Sequence, residues 1–365
     1  MGHEVEIFEQ RKHLGGMLRY GIPNYRLPND LLEEEINSIL STGIKVHTNV
    51  SVGKDIEYDK LNKDFDTIYI AIGAQTGKNI SVEGQDAEGL MSAVDILRDL
   101  GDHIHPDFTG KKVAVIGGGN VAIDAARTAV RLNAESVSIV YRRRKVDMPA
   151  MDHEIEGAIA EGCAIYDLNT PVRIEADENN KVKGLWVQPQ VPGPIQGDRP
   201  KPLAADKDEV KIDCDIVISA IGQNIETEVF EKEGIPTTWG QIDTLNSGQI
   251  QDKPNIYAGG DCVSGPDTVI KAIAAGKVAA ANIDEYLEYN HTIKANVDIP
   301  GPNLEDKEAC GRVNMLERQV DERLEDFDLV EIGMTCQEAS QESKRCLRCD
   351  HFGFGSLRGG RNKQW

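Results

Sequence analysis

The sequence predicts an α/β chain: two nested domains of alternating strands and helices, closed by a small cysteine-bearing tail. Three observations predict it. The run Val113-Ala-Val-Ile-Gly-Gly-Gly-Asn-Val-Ala-Ile-Asp124, followed by Tyr141-Arg-Arg-Arg-Lys145, reads as strand, glycine turn, helix and a second strand ending in cations. Two apolar runs into glycine, Phe65–Ala74 and Asp215–Gln223, bracket that unit. Beyond residue 295 the character changes, and the chain ends around Cys336, Cys346 and Cys349.

Bulk composition fits this reading. The 365 residues are enough for two or three domains, and 40% hydrophobic content indicates a globular protein. The net charge is −21, from 61 acids against 40 bases, which argues against nucleic acid or an anionic membrane surface as a partner. No apolar stretch is long enough to span a bilayer, and no secretory signal opens the chain. Seven cysteines are too few for a disulfide scaffold in a chain of this length, so a reducing cytoplasm is the expected setting.

In chain order, His3–Glu9 reads as a strand ending in an acid. In a dinucleotide-binding unit that is the second strand, with Glu9 on the adenosine ribose. A first strand and its glycine turn belong just before it, and the chain begins at Met1. A missing segment or a partner polypeptide would supply them. Phe65–Ala74 is a buried strand turning at Gly73, and Asp215–Gln223 repeats the pattern with Gly222. Such turns recur where a chain crosses between two nucleotide-binding domains.

Between them lies Gly117-x-Gly119-x-x-Ala122, which fits the dinucleotide fingerprint of a Rossmann-like domain. Gly117 allows the tight turn, Gly119 lets backbone approach a pyrophosphate, and Ala122 lets helix and strand pack closely. Asn120 and Val121 open the helix, whose N–H groups and partial positive charge face the phosphates. An NAD reader usually has an acid after the second strand. Arg142 and Arg143 stand there instead and suit the 2′-phosphate of NADPH, although NADH stays open. Pro189–Asp208, rich in proline, glycine and charge, reads as a surface excursion.

Asn255-Ile-Tyr-Ala-Gly-Gly-Asp261 is a third apolar strand, and a helical pattern runs from Thr268 to Leu287. Gly260 and Asp261 are placed to approach a ribityl or pyrophosphate group, and the helix N-terminus to stabilise a reduced flavin. The expected division is a first nucleotide domain over 1–80 and 225–292, an inserted NAD(P) domain over 81–224, and a tail over 293–365. Within the tail, Gly311–Glu325 reads as a charged helix.

Leu14-Gly-Gly-Met-Leu-Arg-Tyr-Gly-Ile-Pro-Asn-Tyr-Arg-Leu-Pro28 is highly specific. With the glycine turn at 117–119, Tyr141–Arg143, Met148-Pro-Ala150 and Ala258–Asp261, it resembles the glutamate synthase small (beta) subunit family. That family includes the flavoprotein parts of dihydropyrimidine dehydrogenase and of ferredoxin:NADP oxidoreductases. The resemblance covers about residues 2–290. It implies a disulfide-reductase-like flavoprotein with FAD in the split domain, NAD(P)H in the insert, and hydride passing between them. It also implies FAD contacts from Glu9, Gly16, Leu18, Arg26 and Asp261 and from backbone near Thr268. Arg26 could instead be a structural arginine. Two departures are the family's first FAD glycine loop and its N-terminal cluster domain, neither of which is in this sequence.

The tail holds Cys336-x9-Cys346-x2-Cys349, with Cys310 upstream. A Cys-x-x-Cys pair can give two thiolates to one metal, and an iron–sulfur cluster on Cys336, Cys346 and Cys349 is the preferred reading, with Cys310, His351 or a partner residue completing the shell. Structural zinc and a redox dithiol are the alternatives. Cys163, Cys214 and Cys262 read as small core residues, and His153 as a helix-surface residue.

The function expected from all this is an NAD(P)H-dependent flavoprotein subunit that passes electrons to iron–sulfur centres of a partner. The partner would be a glutamate synthase large subunit or a ferredoxin-type iron–sulfur protein. No catalytic acid or base is expected, because hydride transfer is cofactor chemistry. The rivals are a non-catalytic NADP(H)-binding scaffold and a flavin–dithiol reductase using Cys346 and Cys349.

Overall fold

The computed structural model describes residues 1–292 and 310–346, with the backbone of two short strands, Arg358–Gly359 and Lys363–Gln364. Its centre is a five-stranded parallel sheet in the order Leu90–Ser92, Ile216–Ser219, Lys112–Ile116, Ser136–Val140, Ala164–Tyr166. The inner strands are apolar at nearly every position because both faces are covered. Val113, Val115, Val137, Ile139 and Ile218 point to one face and pack with Ile123, Ala126 and Ile155 of the helices Asn120–Arg131 and Asp152–Ala160. Ala114, Ile116, Val140 and Val217 point to the other face and pack with Ile174, Leu185, Val187 and Ile212. The period-2 alternation of the strands thus places helices on one side and a second, antiparallel sheet on the other.

That second sheet extends into a surface excursion over Pro189–Asp208, which is mostly exposed and built as an ordered hairpin. The strand Val182–Gln196 runs through much of it and turns back as Arg199–Ala204. The turn uses Gly197 at φ +68°, and a bulge between Pro192 and Ile195 accommodates the prolines, which cannot donate to a regular ladder. Its prolines and glycines read as a loop, although in the bulged hairpin they are compatible with strand.

The flanking part of the chain forms two separate sheet pieces. Glu6–Glu9 pairs in parallel with Lys45–Thr48. Lys253–Ala258 pairs in parallel with Ile68–Ile70 and antiparallel with Gln249–Ile250. The two pieces are not hydrogen-bonded to each other. Ile70, Ile256, Ala258, Ile250 and Cys262 share a core with Phe230 and Ile242. The helix Val269–Tyr286 follows. The short pair Thr76–Gly77 and Gln223–Asn224 joins the chain where it leaves and re-enters this part.

In the tail, the helix expected over Gly311–Glu325 is largely absent. Leu316–Glu317 pairs with Glu331–Gly333, and only Val320–Arg323 is helical. The segment lacks an apolar stripe, so docking decides its shape rather than helical burial. Arg323 is 3% exposed, Val330 N donates to Tyr25 O at 2.9 Å, and Asn24 Nδ2 donates to Phe327 O at 2.9 Å. The helix Cys336–Lys344 then starts with a capping box between Thr335 and Glu338. Among the described residues, no helix is long and apolar enough to cross a membrane.

Candidate functional site

The glycine turn at the head of the central sheet is built for close approach. Gly117 has φ +150°, and a Cβ there would lie 2.5 Å from Ala220 O and 3.0 Å from the Ala122 Cβ. A Cβ on Gly118 would run into the Tyr141 ring at 2.6 Å. At Gly119 the nearest atom would be Pro149 Cγ at 3.8 Å, so this position opens outward. Ala150 N donates to Gly118 O at 3.1 Å, which seats the Met148–Ala150 loop on the turn. The helix N-cap is Gly119, which has no side chain to cap it, and among the described residues no side-chain hydrogen bond to the N–H groups of Asn120 and Val121 is seen.

At the end of the next strand Arg142 is exposed and Arg143 half-buried. Arg143 Nε donates to Pro200 O at 2.8 Å, whereas Arg144 is paired with Asp147 at 2.8 Å. Among the described residues, neither Arg142 nor Arg143 forms a salt bridge, although Asp147 lies near enough to Arg143 to feel its charge.

Three other glycine turns meet where the chain crosses between the sheets. Gly16 (φ +50°) and Gly73 (φ +63°) both face Gln75: added Cβ atoms would lie 3.9 Å and 3.1 Å from its Nε2. Gln223 Nε2 lies 4.0 Å from Met17 Sδ, which brings the Gly222 turn (φ +137°) to the same place. Leu18 sits half-buried in the first turn after Gly16. Against the end of Ile68–Ile70 lies the turn at Gly260 (φ +78°): Gly259 N donates to Ile70 O at 3.2 Å, and Cys262 Sγ to the same oxygen at 3.5 Å. Asp261 follows, its carboxyl raised by burial although Asp267 N donates to it at 3.3 Å. Thr268 is the N-cap of Val269–Tyr286 and makes no side-chain cap bond. Glu9 ends its strand with Oε1 accepting from Arg11 N at 2.7 Å, and burial raises its carboxyl too.

Arg26 links the two parts of the molecule. Its Nη1 donates to Asp124 Oδ1 and Oδ2 at 3.0 and 2.8 Å, and its Nη2 to Glu154. Burial, together with Glu154, holds the Asp124 carboxyl up at about 7 against the pull of Arg26. Next to it, Glu161 accepts from Arg127 Nη2 at 2.6 Å and Arg131 Nη1 at 2.7 Å, and Arg323 Nε of the tail lies 2.9 Å away. The Tyr25 ring lies 4.1 Å under the Arg131 guanidinium. Sequence reasoning missed this network, and Gln75, Met17 and Gln223 with it. One signal was present: Asp124, Arg127 and Arg131 share a face of an otherwise apolar helix.

The cysteines divide in two. Cys163, Cys214 and Cys262 are buried at 4%, 3% and 0% exposure, as core residues. Cys310, Cys336 and Cys346 are exposed, and Cys349 lies outside the described residues. Cys336 begins the helix Cys336–Lys344 and Cys346 lies just past its end. Val313 N donates to Glu342 Oε2 at 2.9 Å, tying the Cys310 segment to that helix. Among the described residues, the three metal-type ligands that converge within 4.8 Å are His3, Asp284 and His291, not cysteines. His291 Nδ1 and His3 Nε2 contact Asp284 Oδ1 at 2.6 and 3.0 Å. His153 is exposed on its helix.

Comparison with known proteins agrees with this geometry. The pyridine nucleotide-disulphide oxidoreductase family profile matches residues 1–276. The chain is 36% identical over 381 residues to the NADP(+)-dependent formate dehydrogenase subunit beta of Moorella thermoacetica, covering 98% of this chain and 53% of that protein. It is 32% identical to a putative glutamate synthase [NADPH] small chain of Cereibacter sphaeroides, covering 78% of this chain and 72% of that one. It thus spans about half the length of the first of these relatives. The fold matches that of FprA from Mycobacterium tuberculosis, solved in complex with NADPH, with a TM-score of 0.68 over 78% of each chain at 18% identity. The chain therefore belongs to the pyridine nucleotide-disulphide oxidoreductase family, among its glutamate synthase small-chain-like members.

Proposed function

We propose that the chain is the NADPH-oxidising flavoprotein subunit of an electron-transfer complex. One observation carries the reading: the Gly16, Gly73 and Gly222 turns converge on Gln75 and Met17, at the crossing between two nucleotide-type sheets. Two relatives whose names include NADP(+) or NADPH support the same nucleotide.

The residues fit the groups this function needs. For NADPH, the uncapped helix after Gly119 faces the pyrophosphate with N–H groups and partial positive charge. Arg142 and Arg143 hold the 2′-phosphate through charge-assisted bonds. For FAD, Glu9 would hold the ribose, Gly16, Leu18, Gly73 and Asp261 are the other residues that would hold the cofactor, and the helix N-terminus at Thr268 would favour negative charge on it. FAD held there would supply a two-electron hydride acceptor that can pass electrons on one at a time. The protein's task is to position the two rings and exclude water between them. Arg26 serves this by fixing the Gly15–Leu27 loop to Asp124 and Glu154 of the nucleotide domain. Cys310, Cys336, Cys346 and Cys349 are the donors an iron–sulfur cluster would use on the way to the partner. A glutamate synthase large subunit or a ferredoxin-type protein fits as acceptor.

One observation favours a second reading, a nucleotide-binding subunit without flavin: the sheet piece bearing Glu9 is not hydrogen-bonded to the piece bearing Gly73. Incubation with FAD, desalting, and assay of ferricyanide reduction by NADPH separates the two. Retained flavin and flavin-dependent turnover, faster with NADPH than NADH, are expected. A protein that binds NADPH but retains no flavin would favour the second reading.

A further inference from the structure

We infer that Lys201, on the hairpin Val182–Gln196/Arg199–Ala204, closes the phosphate subsite beside Arg142 and Arg143 and helps it recognise a phosphomonoester on the adenosine ribose. This rests on the NADPH reading above and assigns a residue and an element to it.

The hairpin folds back over the end of the strand that carries the arginines. Arg142, Arg143, Lys201, Pro192 and Pro200 line one cleft between the two elements. The contact is specific: Pro200 is buried, its carbonyl accepts from Arg143 Nε at 2.8 Å, and Leu168 N donates to Arg143 O at 2.9 Å. Arg143 is therefore oriented by the hairpin, with Nη1 and Nη2 left to meet a ligand. The hairpin itself is held close. A Cβ at Gly193 would lie 2.8 Å from Lys201 O, so the bulged strand passes the Lys201 backbone with no room for a side chain.

Charge makes the same point. The chain carries −21, yet Arg142, Arg143, Arg144 and Lys201 line this cleft with Asp147 as its carboxylate, and among the described residues only Arg144 is in a salt bridge with it, Asp147 also acting on Arg143. Four cations against one carboxylate leave the cleft positive on an acidic protein, and a bound anion would relieve their mutual repulsion. A phosphomonoester with nearly two negative charges matches that field. The arginines can give planar, paired bonds, and Lys201 adds a mobile point charge from the opposite wall.

The test uses the full chain with 2′,5′-ADP and 5′-AMP as probes in calorimetric titrations. Lys201→Ala is expected to weaken 2′,5′-ADP about five- to tenfold, to leave 5′-AMP unchanged, and to flatten the salt dependence of 2′,5′-ADP binding. Lys201→Arg is expected to restore most of the affinity. Wild-type affinity for 2′,5′-ADP in Lys201→Ala, alongside its loss in Arg143→Ala, would overturn the Lys201 assignment and leave the NADPH reading standing. A wild-type protein that binds 2′,5′-ADP no better than 5′-AMP would remove the NADPH reading and this inference with it.

Discussion

Glu161→Gln is the sharpest perturbation of the fold. In the native protein one carboxylate, fully buried, faces three guanidinium groups: Arg127, Arg131 and Arg323, at 6%, 6% and 3% exposure. Burial alone would raise this carboxyl, but hydrogen bonds from Arg127 and Arg131 overcome that and lower it. The substitution keeps shape and removes the counter-charge, so Arg127 and Arg131 lose theirs in a dry site while Arg323 keeps Glu317. Breaking a buried pair from one side typically costs about 3–5 kcal/mol. For a chain of this size each kcal/mol moves the melting temperature by roughly 2–4 °C, which gives a fall of about 10 °C. The loss should be local first. Arg323 belongs to the tail, so limited proteolysis should release the segment after residue 292 before the rest unfolds. Arg323→Ala removes one cation and leaves Glu161 with two, so it should free the tail with a smaller fall, about 1–2 kcal/mol. A Glu161→Gln protein that melts within a degree or two of wild type, with its tail still protected, would refute the reasoning.

Other expectations follow from the same structure. Arg143→Ala should raise the KM for NADPH about tenfold or more, from loss of about 1.5–3 kcal/mol of charge-assisted bonding, and leave NADH little changed; unchanged NADPH kinetics would defeat the assignment. Asp124 is raised from 3.8 to about 7, so the folded state holds its proton longer than the unfolded one, and its contribution to stability declines as pH rises across that interval. Asp124→Asn should remove that slope from a plot of melting temperature against pH, and identical profiles would contradict it. Asp284 is the opposite case. Burial opposes its charge, but bonds from His291 and His3 hold it at about 2, so its stabilisation is present above 3.8 and is lost as pH falls through about 2. Acid unfolding of Asp284→Asn should lack that component. Asp261→Ala should lower FAD retention on desalting while leaving 2′,5′-ADP binding intact, and equal flavin content would remove Asp261 from the site.

The glycine turn was legible in the sequence because its requirements are local. Gly117, Gly119 and Ala122 satisfy backbone approach within one strand–helix unit, and the strand–glycine runs at Gly73 and Gly222 have the same character. What the sequence hid depends on contacts between distant segments. Whether Gln75 and Met17 meet at the crossing, or Arg26 reaches Asp124, is set by how the two sheets dock, and no spacing records that. The hairpin through Pro192 was obscured because its prolines and glycines mimic a loop. The charged stretch around Leu316–Arg323 looked helical because charge and helix-forming residues dominate it, whereas its conformation is imposed by Glu161 and Tyr25.

The most direct test of the central claim is an anaerobic visible spectrum of the purified, FAD-incubated chain before and after NADPH. The account predicts a yellow protein whose flavin band bleaches on one equivalent of NADPH, with brown absorbance remaining if the tail carries its cluster. A colourless protein, or a flavin band that NADPH leaves untouched, would contradict it.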